Sequence, residues 1–318
     1  MRYLITGGAG FIGSHLAEVL LAEDHDVIVL DDLSTGSLAN LDKVSEHTKL
    51  KFVQGSVARQ EDVEGVVEEA DTVFHLAASV GVELVVKDPV HTIETNVHGA
   101  ENIFACAGQS NKRVIMASTS EVYGRTDREL FGESDDLIIG PPTHYRWSYA
   151  ASKALDEFLA LAYYKEHRLR PVIVRLFNTV GPRQTGKYGM VIPRLVSQAL
   201  NGEPITVYGD GNQSRCFCHV QDTVKGLLSL ERHESTEGEI FNLGSRESVT
   251  INQLAQLIKE ISGSSSEIVH VPYDEAYEPG FEDMHHRAPD IGKICALTGW
   301  SPEIKLRRII SDIVADRN

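Results

Sequence analysis

The chain has 318 residues, 42% of them hydrophobic and 7% aromatic, enough to bury one large core with a smaller lobe attached. Its 30 basic residues stand against 46 acidic ones, a formal charge of −16, which argues against a nucleic-acid partner because nucleic-acid phosphates need a net basic surface. No apolar run approaches a membrane span, Met1–Leu4 reads as a strand rather than a signal peptide, and four cysteines without metal-ligand spacing fit reduced thiols in a cytoplasmic protein that holds no metal.

Along the first half, β-branched runs alternate with amphipathic segments. Strands are predicted at Arg2–Thr6, Asp26–Leu30, Lys51–Gln54, Thr72–Leu76, Arg113–Ala117 and Pro171–Leu176, and helices at Phe11–Ala22, Glu61–Glu69, Val90–Ala107 and Tyr149–Glu166. This alternation is the pattern of an α/β fold, a doubly wound parallel sheet covered on both faces. Uninterrupted apolar strands such as Val172-Ile173-Val174 fit burial from both sides. After Asn178 the rhythm changes, with glycine and proline at Gly181-Pro182, Gly186, Gly189 and Gly209-Asp210-Gly211 and helices predicted at Pro193–Asn201, Val220–Leu230 and Ile251–Ile261. We therefore expect a Rossmann domain over 1–178 and a smaller C-terminal substrate lobe over 179–318, with part of the later chain returning to the first domain.

The segment Thr6-Gly7-Gly8-Ala9-Gly10-Phe11-Ile12-Gly13 joins the first strand to the first helix. Glycines at 7, 10 and 13 allow a tight turn, close approach of a pyrophosphate and close helix–strand packing, and the helix N-terminus offers free N–H groups to the phosphates. The second strand ends at Asp31-Asp32. An acid there accepts hydrogen bonds from the adenosine ribose and repels a 2′-phosphate, which favours NAD over NADP.

Tyr149-Ala150-Ala151-Ser152-Lys153 places Tyr149 and Lys153 at i and i+4 on one helix face. A nearby ammonium is expected to lower the phenol pKa, so that Tyr149 takes a proton from a hydroxyl as a hydride leaves for nicotinamide. Upstream, the fifth strand runs into Ser118-Thr119-Ser120-Glu121-Val122-Tyr123-Gly124, in a position where loops carry sites. Thr119 is expected to help Tyr149 orient the substrate hydroxyl, with Ser120 and Glu121 facing the substrate.

Together with Phe74-His75-Leu76-Ala77-Ala78 and the run from Arg175 to Arg183, these motifs resemble the extended short-chain dehydrogenases/reductases that act as nucleotide-sugar epimerases, dehydratases and decarboxylases. The resemblance covers essentially the whole chain and implies a tightly held NAD, reduced and reoxidised within one turnover, and a homodimer built on helices near 90–107 and 149–166. For the cofactor it implies, besides the glycine loop with Phe11 and Ile12, the residues Asp31, Asp32, Ser34, Thr35, Gly36, Ser56, Val57, Leu76, Ala77, Ala78, Asn96, Ser118, Tyr149, Lys153 and Phe177. For the nucleotide sugar it implies Glu83, Asn178, Val191, Tyr208, Arg215 and Arg287.

Within that family, 4,6-dehydratases follow the catalytic threonine with Asp-Glu, whereas this chain has Ser120-Glu121. Thr119-Ser120-Glu121 is similar to the motif of the UDP-glucuronic acid decarboxylases, among them UDP-xylose synthase and the aminoarabinose-pathway decarboxylase. The run Leu137 to Pro141, the segment Arg146-Trp147-Ser148-Tyr149, the triplet Arg215-Cys216-Phe217 and the segment Gly280 to Asp290 with Arg287 resemble theirs as well. The resemblance implies decarboxylation of UDP-glucuronate: oxidation at C4 makes a β-keto acid, which loses carbon dioxide to give a UDP-4-keto-pentose or UDP-xylose, with Glu121 and Arg287 managing the carboxylate and the proton. Two segments depart from it. The loop Gly81 to Val86 looks more like that of the bacterial 4-epimerases, and Gly55-Ser56-Val57 has serine where the family has aspartate, which predicts a weaker adenine contact. A 4-epimerase of a UDP-hexose or UDP-hexuronate, using the same Thr119, Tyr149 and Lys153, is the alternative.

Overall fold

The computed structural model describes residues 1–80, 88–126, 128–186, 190–276 and 287–317. Seven strands form one sheet: β1 (Arg2–Thr6), β2 (Asp26–Asp31), β3 (Leu50–Gln54), β4 (Thr72–His75), β5 (Arg113–Thr119), β6 (Arg170–Leu176) and, far later in the chain, β11 (Glu239–Leu243). Their order is β3-β2-β1-β4-β5-β6-β11 and every neighbouring pair is parallel, the arrangement of a doubly wound nucleotide-binding sheet with one strand added. The direction of winding reverses between β1 and β4, and the crevice above that point is where such sheets bind ligands.

The two-residue period of the strands explains why they read as continuous apolar runs. Tyr3 and Ile5, Val27 and Val29, and Val172 and Val174 face one core, while Leu4, Ile28, Leu30 and Ile173 face the other. The first core is closed by α1 (Phe11–Ala22) and, from the C-terminal half, α6 (Val220–Glu231) and α9 (Gly292–Thr298), through Leu16, Leu20, Val224, Leu227 and Ile294. The second is closed by α2 (Gln60–Glu69), α3 (Pro89–Gln109) and α4 (Arg146–Glu166), through Val63, Val67, Ile103, Phe104 and Ala160.

The remaining elements form a smaller lobe with its own core. Helices α5 (Val191–Asn201), α7 (Ile251–Ser262) and α10 (Leu306–Arg317) pack Leu195, Leu254, Ile258 and Ile309 around Ile205 and Val207 of β8 (Ile205–Tyr208), which pairs with β13 (Ile268–Val271). Short pairs join β7 (Thr179–Val180) to β10 (Cys218–His219) and β9 (Ser214–Cys216) to β12 (Ser248–Thr250), and a single turn, α8, spans Tyr273–Ala276. The chain beyond 178 thus supplies β11, α6 and α9 to the first body.

Every predicted strand and helix of the first 176 residues is present, with bounds that differ from those expected by at most three residues in length. Among the elements missing from the sequence reading are the 3₁₀ turns at Leu38–Val44 and Ser120–Tyr123 and, in the second half, the strands of two to five residues, too short to show a period, with the helices α8, α9 and α10.

Candidate active site

A cleft of about 610 Å³ runs along the C-terminal ends of the parallel strands, lined from both lobes, well sized for a cofactor and substrate. At its β1 end the glycine loop is as tight as its residues demand. Gly7 has φ +69°, and a Cβ on Gly13 would stand 2.4 Å from the Gly7 carbonyl oxygen. Gly10 caps α1 with no side-chain hydrogen bond, so the first-turn N–H groups stay available to an anion. Gly7, Gly10, Phe11, Ile12 and Gly13 all line the cleft, as do Asp31, Asp32, Ser34 and Thr35. Burial raises the Asp31 carboxyl, and N–H donors from Leu33 at 2.8 Å and Ala9 at 2.9 Å act against that rise. A glycine cradle, an open helix end and a fixed acid fit NAD.

The chemical wall lies across β5 and α4. Thr119 ends β5 and accepts the Glu121 N–H at 3.2 Å, which starts a 3₁₀ turn over Ser120–Tyr123 and presents Ser120 and Glu121 to the cleft. The Tyr149 hydroxyl hydrogen bonds to Thr119, the partner expected at the end of the fifth strand. Burial and then the Glu121 carboxylate push the Tyr149 phenol well above its ordinary value, while Thr119 and Arg287 act in the opposite sense. This corrects the expectation of a phenol lowered by Lys153. The ammonium is turned instead into a buried ion pair with Asp156 Oδ2 at 2.9 Å and does not line the cleft.

Glu121 itself sits between two guanidiniums: Arg287 Nη2 donates to Oε1 at 2.5 Å and Arg146 Nη2 to Oε2 at 3.1 Å. Burial alone would raise this carboxyl; Arg287 and Arg146 outweigh it and bring it down to about 2. Arg146, the first residue of α4, also stands over the Trp147 ring at 4.7 Å, and Trp147 is buried. Arg146 is a site residue that sequence reading quoted but did not assign; its spacing, three residues before Tyr149 and so on the same helix face, was the available signal.

Arg287 reaches this wall from 166 residues away in sequence because its neighbours are pinned. Phe131 N–H donates to the Ala288 carbonyl at 2.9 Å and Asp290 N–H to the Phe131 carbonyl at 2.8 Å. Asn242 of β11 donates to the Phe131 and Asp290 carbonyls, at 2.8 and 3.2 Å, and accepts the Tyr123 hydroxyl at 2.7 Å. One buried amide therefore ties the turn carrying Glu121 to the segment carrying Arg287. Nothing in the local sequence pointed to Asn242.

Val57, Leu76, Ala77, Ala78 and Ser118 line the cleft as expected. Four other residues expected at the cofactor stand behind the lining. Gly36 packs on Asp31 Oδ1 and Ala9. Ser56 gives its N–H to Asp62 Oδ2 at 2.8 Å, leaving Gly55 and Val57 to form the wall. Asn96 braces Ser79 N–H at 2.8 Å and Ser152 Oγ at 3.1 Å. Phe177 is buried with Tyr123 and Phe131. At the far end, Asn178, Val191, Tyr208 and Arg215 all line the cleft. Asn178 donates to the Cys216 carbonyl at 2.9 Å, Arg215 to that of Ser214 at 2.8 Å, and Arg194 stacks on the Tyr208 ring at 3.9 Å. Arg183 is engaged by Glu18 and Ser14. Glu83 and the run Gly280 to His286 lie outside the described residues.

A Rossmann sheet with a glycine cradle, and a Tyr149–Thr119 contact one helical turn from Lys153, define a nucleotide-cofactor oxidoreductase scaffold. Residues 3–244 match the model of the NAD dependent epimerase/dehydratase family, and the chain belongs to that family; it is an NAD-dependent enzyme. It is 40% identical, over 98% of its length and 96% of the relative's, to a UDP-N-acetyl-alpha-D-glucosaminuronate decarboxylase of Bacillus cytotoxicus. It is 37% identical to UDP-glucuronic acid decarboxylase 1 of Danio rerio over 96% of this chain and 70% of that one. Among solved structures, the UDP-glucuronic acid 4-epimerase of Bacillus cereus, in complex with UDP-glucuronic acid and NAD, superposes with a TM-score of 0.89 at 26% identity, covering 99% of this chain and 98% of that one.

Proposed function

We propose that the protein decarboxylates a UDP-hexuronate, with UDP-glucuronate as the substrate and a UDP-4-keto-pentose or UDP-xylose as the product. The observation that carries this reading is the Glu121 carboxyl bridged to Arg287 beside Tyr149 and Thr119. Arg287 keeps an Nε–H without a partner among the described residues, so its guanidinium has donor capacity beyond Glu121. A neutral hexose gives such a group nothing to hold; a C6 carboxylate does.

The glycine loop and Asp31 would hold NAD, which when bound would supply the acceptor for the C4 hydride. Tyr149 takes the proton of the 4-hydroxyl, which Thr119 orients. The resulting ketone stands β to the carboxylate, and the C5–C6 bonding pair moves toward C4 as carbon dioxide departs. Arg287 holds the carboxylate until it leaves and stabilises the enolate, and Glu121 and Ser120 direct the proton that C5 takes up. Lys153 stands behind this wall, paired with Asp156.

A second reading, a UDP-N-acetylglucosaminuronate substrate, is favoured by the 40% identical relative. It uses the same wall and differs only at the sugar C2. A 4-epimerase of a UDP-hexuronate would use Arg287 only to bind the carboxylate. We also propose a homodimer paired through α3 and α4, whose outer faces expose Val90, Ile93, Leu155 and Phe158. A cytoplasmic location accords with four unpaired cysteines.

Mass spectrometry of the purified enzyme with NAD and each UDP-hexuronate tests this directly. Loss of carbon dioxide from UDP-glucuronate is expected; loss only from the N-acetylated substrate moves the assignment to the second reading. An isomer of unchanged mass overturns decarboxylation.

A further inference from the structure

We propose that Asp156 is a positioning residue of the active site: by pairing with the Lys153 ammonium it sets the proton affinity of Tyr149. The proposal rests on the reading of Tyr149 as the base.

Asp156 and Lys153 lie one turn apart on α4, at 0% and 2% side-chain exposure, with Nζ and Oδ2 2.9 Å apart. The other carboxylate oxygen, Oδ1, is buried without a hydrogen-bond partner among the described residues. The next residue shows what a satisfied buried acid looks like here. Glu157 takes Arg175 Nη2 at 2.7 Å and Nε at 3.0 Å, and the Ser118 hydroxyl at 2.5 Å. An orphaned carboxylate oxygen is costly, and an apolar residue would fill the same space without that penalty. What an acid adds at 156 is one negative charge against the lysine.

Two consequences follow for the chemistry. Burial raises the Asp156 carboxyl, and the Lys153 ammonium at 2.9 Å acts against that rise. The pair is neutral as a unit, so the ammonium no longer draws down the phenol four residues earlier. Other charged groups facing Tyr149 are Glu121 from the 3₁₀ turn, which raises it, and Arg287, which lowers it. Arg146 engages Glu121 from the same helix. From β4, His75 faces Lys153 but is buried and neutral, driven down to about 3 by burial and then by the lysine, with Nδ1 on Thr6 Oγ1 at 2.8 Å. Glu157 is offset by Arg175. Asp156 is therefore the acid whose charge is shared between Lys153 and Tyr149, and its own effect on the phenol is upward.

The test is a phenolate absorbance titration of the NAD-loaded protein, with the Tyr149 signal isolated by subtracting Tyr149→Phe. It is run on the unsubstituted chain, on Asp156→Asn and on Asp156→Ser, with melting curves to establish that each variant folds. Removing the carboxylate is expected to move the Tyr149 midpoint to lower pH by roughly half a unit or more. The alkaline-activating limb of the rate profile should move with it. A midpoint unchanged in a folded variant overturns the proposal, even if activity falls, because a structural role would cost rate without moving the titration. The titration needs no substrate, so failure of the unsubstituted enzyme to act on UDP-glucuronate would defeat the proposed function and leave this inference to be decided separately.

Discussion

The Glu121 carboxyl and the Tyr149 phenol share one wall, and the same two forces leave them in opposite states. Burial raises both; for Glu121 the guanidiniums of Arg287 and Arg146 win, and for Tyr149 the nearby carboxylate adds to burial. Because the Glu121 pKa is depressed in the folded chain, its contribution to stability is full above the ordinary value of 4.5 and is lost as pH falls toward about 2. Glu121→Gln should therefore show a constant deficit in melting temperature at neutral pH that shrinks below pH 4.5, measured by calorimetry across that range. The same variant should lose roughly a hundredfold or more in turnover while NAD affinity holds. At this scale the sequence was informative where spacing carries geometry: Tyr149 and Lys153 share a helix face, and Thr119 and Glu121 flank a strand end. It was silent on direction. Lys153 has Tyr149 four residues before it and Asp156 three residues after it on the same helix, and spacing alone does not say which of the two its ammonium meets.

Helix α4 carries Arg146, Tyr149 and Lys153, so the position of one element decides the geometry of the whole wall. It is fixed to β5 and β6 by a buried pair, Glu157 with Arg175, each under 5% exposed, and by the Ser118 hydroxyl on the same carboxylate. Removing one partner leaves an uncompensated charge in the interior, so Glu157→Ala should cost about 3–5 kcal/mol of stability, read from urea unfolding. Arg175→Ala should cost a similar amount, and the double variant less than the sum of the two. The long elements around this pair were legible because twelve or more residues display a period. The partners were not: Arg113 to Thr119 and Arg170 to Leu176 meet in register, and register is a property of the sheet. Asn242, which joins the Glu121 turn to the Arg287 segment, was hidden for the same reason.

At the scale of the whole molecule, two cores share one cleft. The glycine cradle and Tyr149 come from the sheet body, while Val191, Tyr208 and Arg215 come from the smaller lobe. The alternation of strands and helices announced the first body. The second was legible as a change of rhythm and through two of its helices, α5 and α7, expected at Pro193–Asn201 and Ile251–Ile261 and present there, while its strands of two to four residues leave no pattern. On the outside, Phe158 is 68% exposed on α4 and Val90 64% on α3. If these faces meet in a dimer, Phe158→Glu should sediment as a monomer where the unsubstituted chain sediments as a dimer. A monomer in both would remove the assignment of that face.

The added strand β11 has a consequence for how the chain is made. When a ribosome has delivered β6, the sheet has six strands and an open edge formed by Pro171 to Leu176, a run rich in valine and isoleucine. Such an edge invites pairing with another chain. It stays open until the whole of the smaller lobe's first portion has been synthesised and Glu239–Leu243 arrives, and Arg287 follows later still. A chain ending between Leu176 and Glu239 would leave that edge uncovered and would lack Arg287.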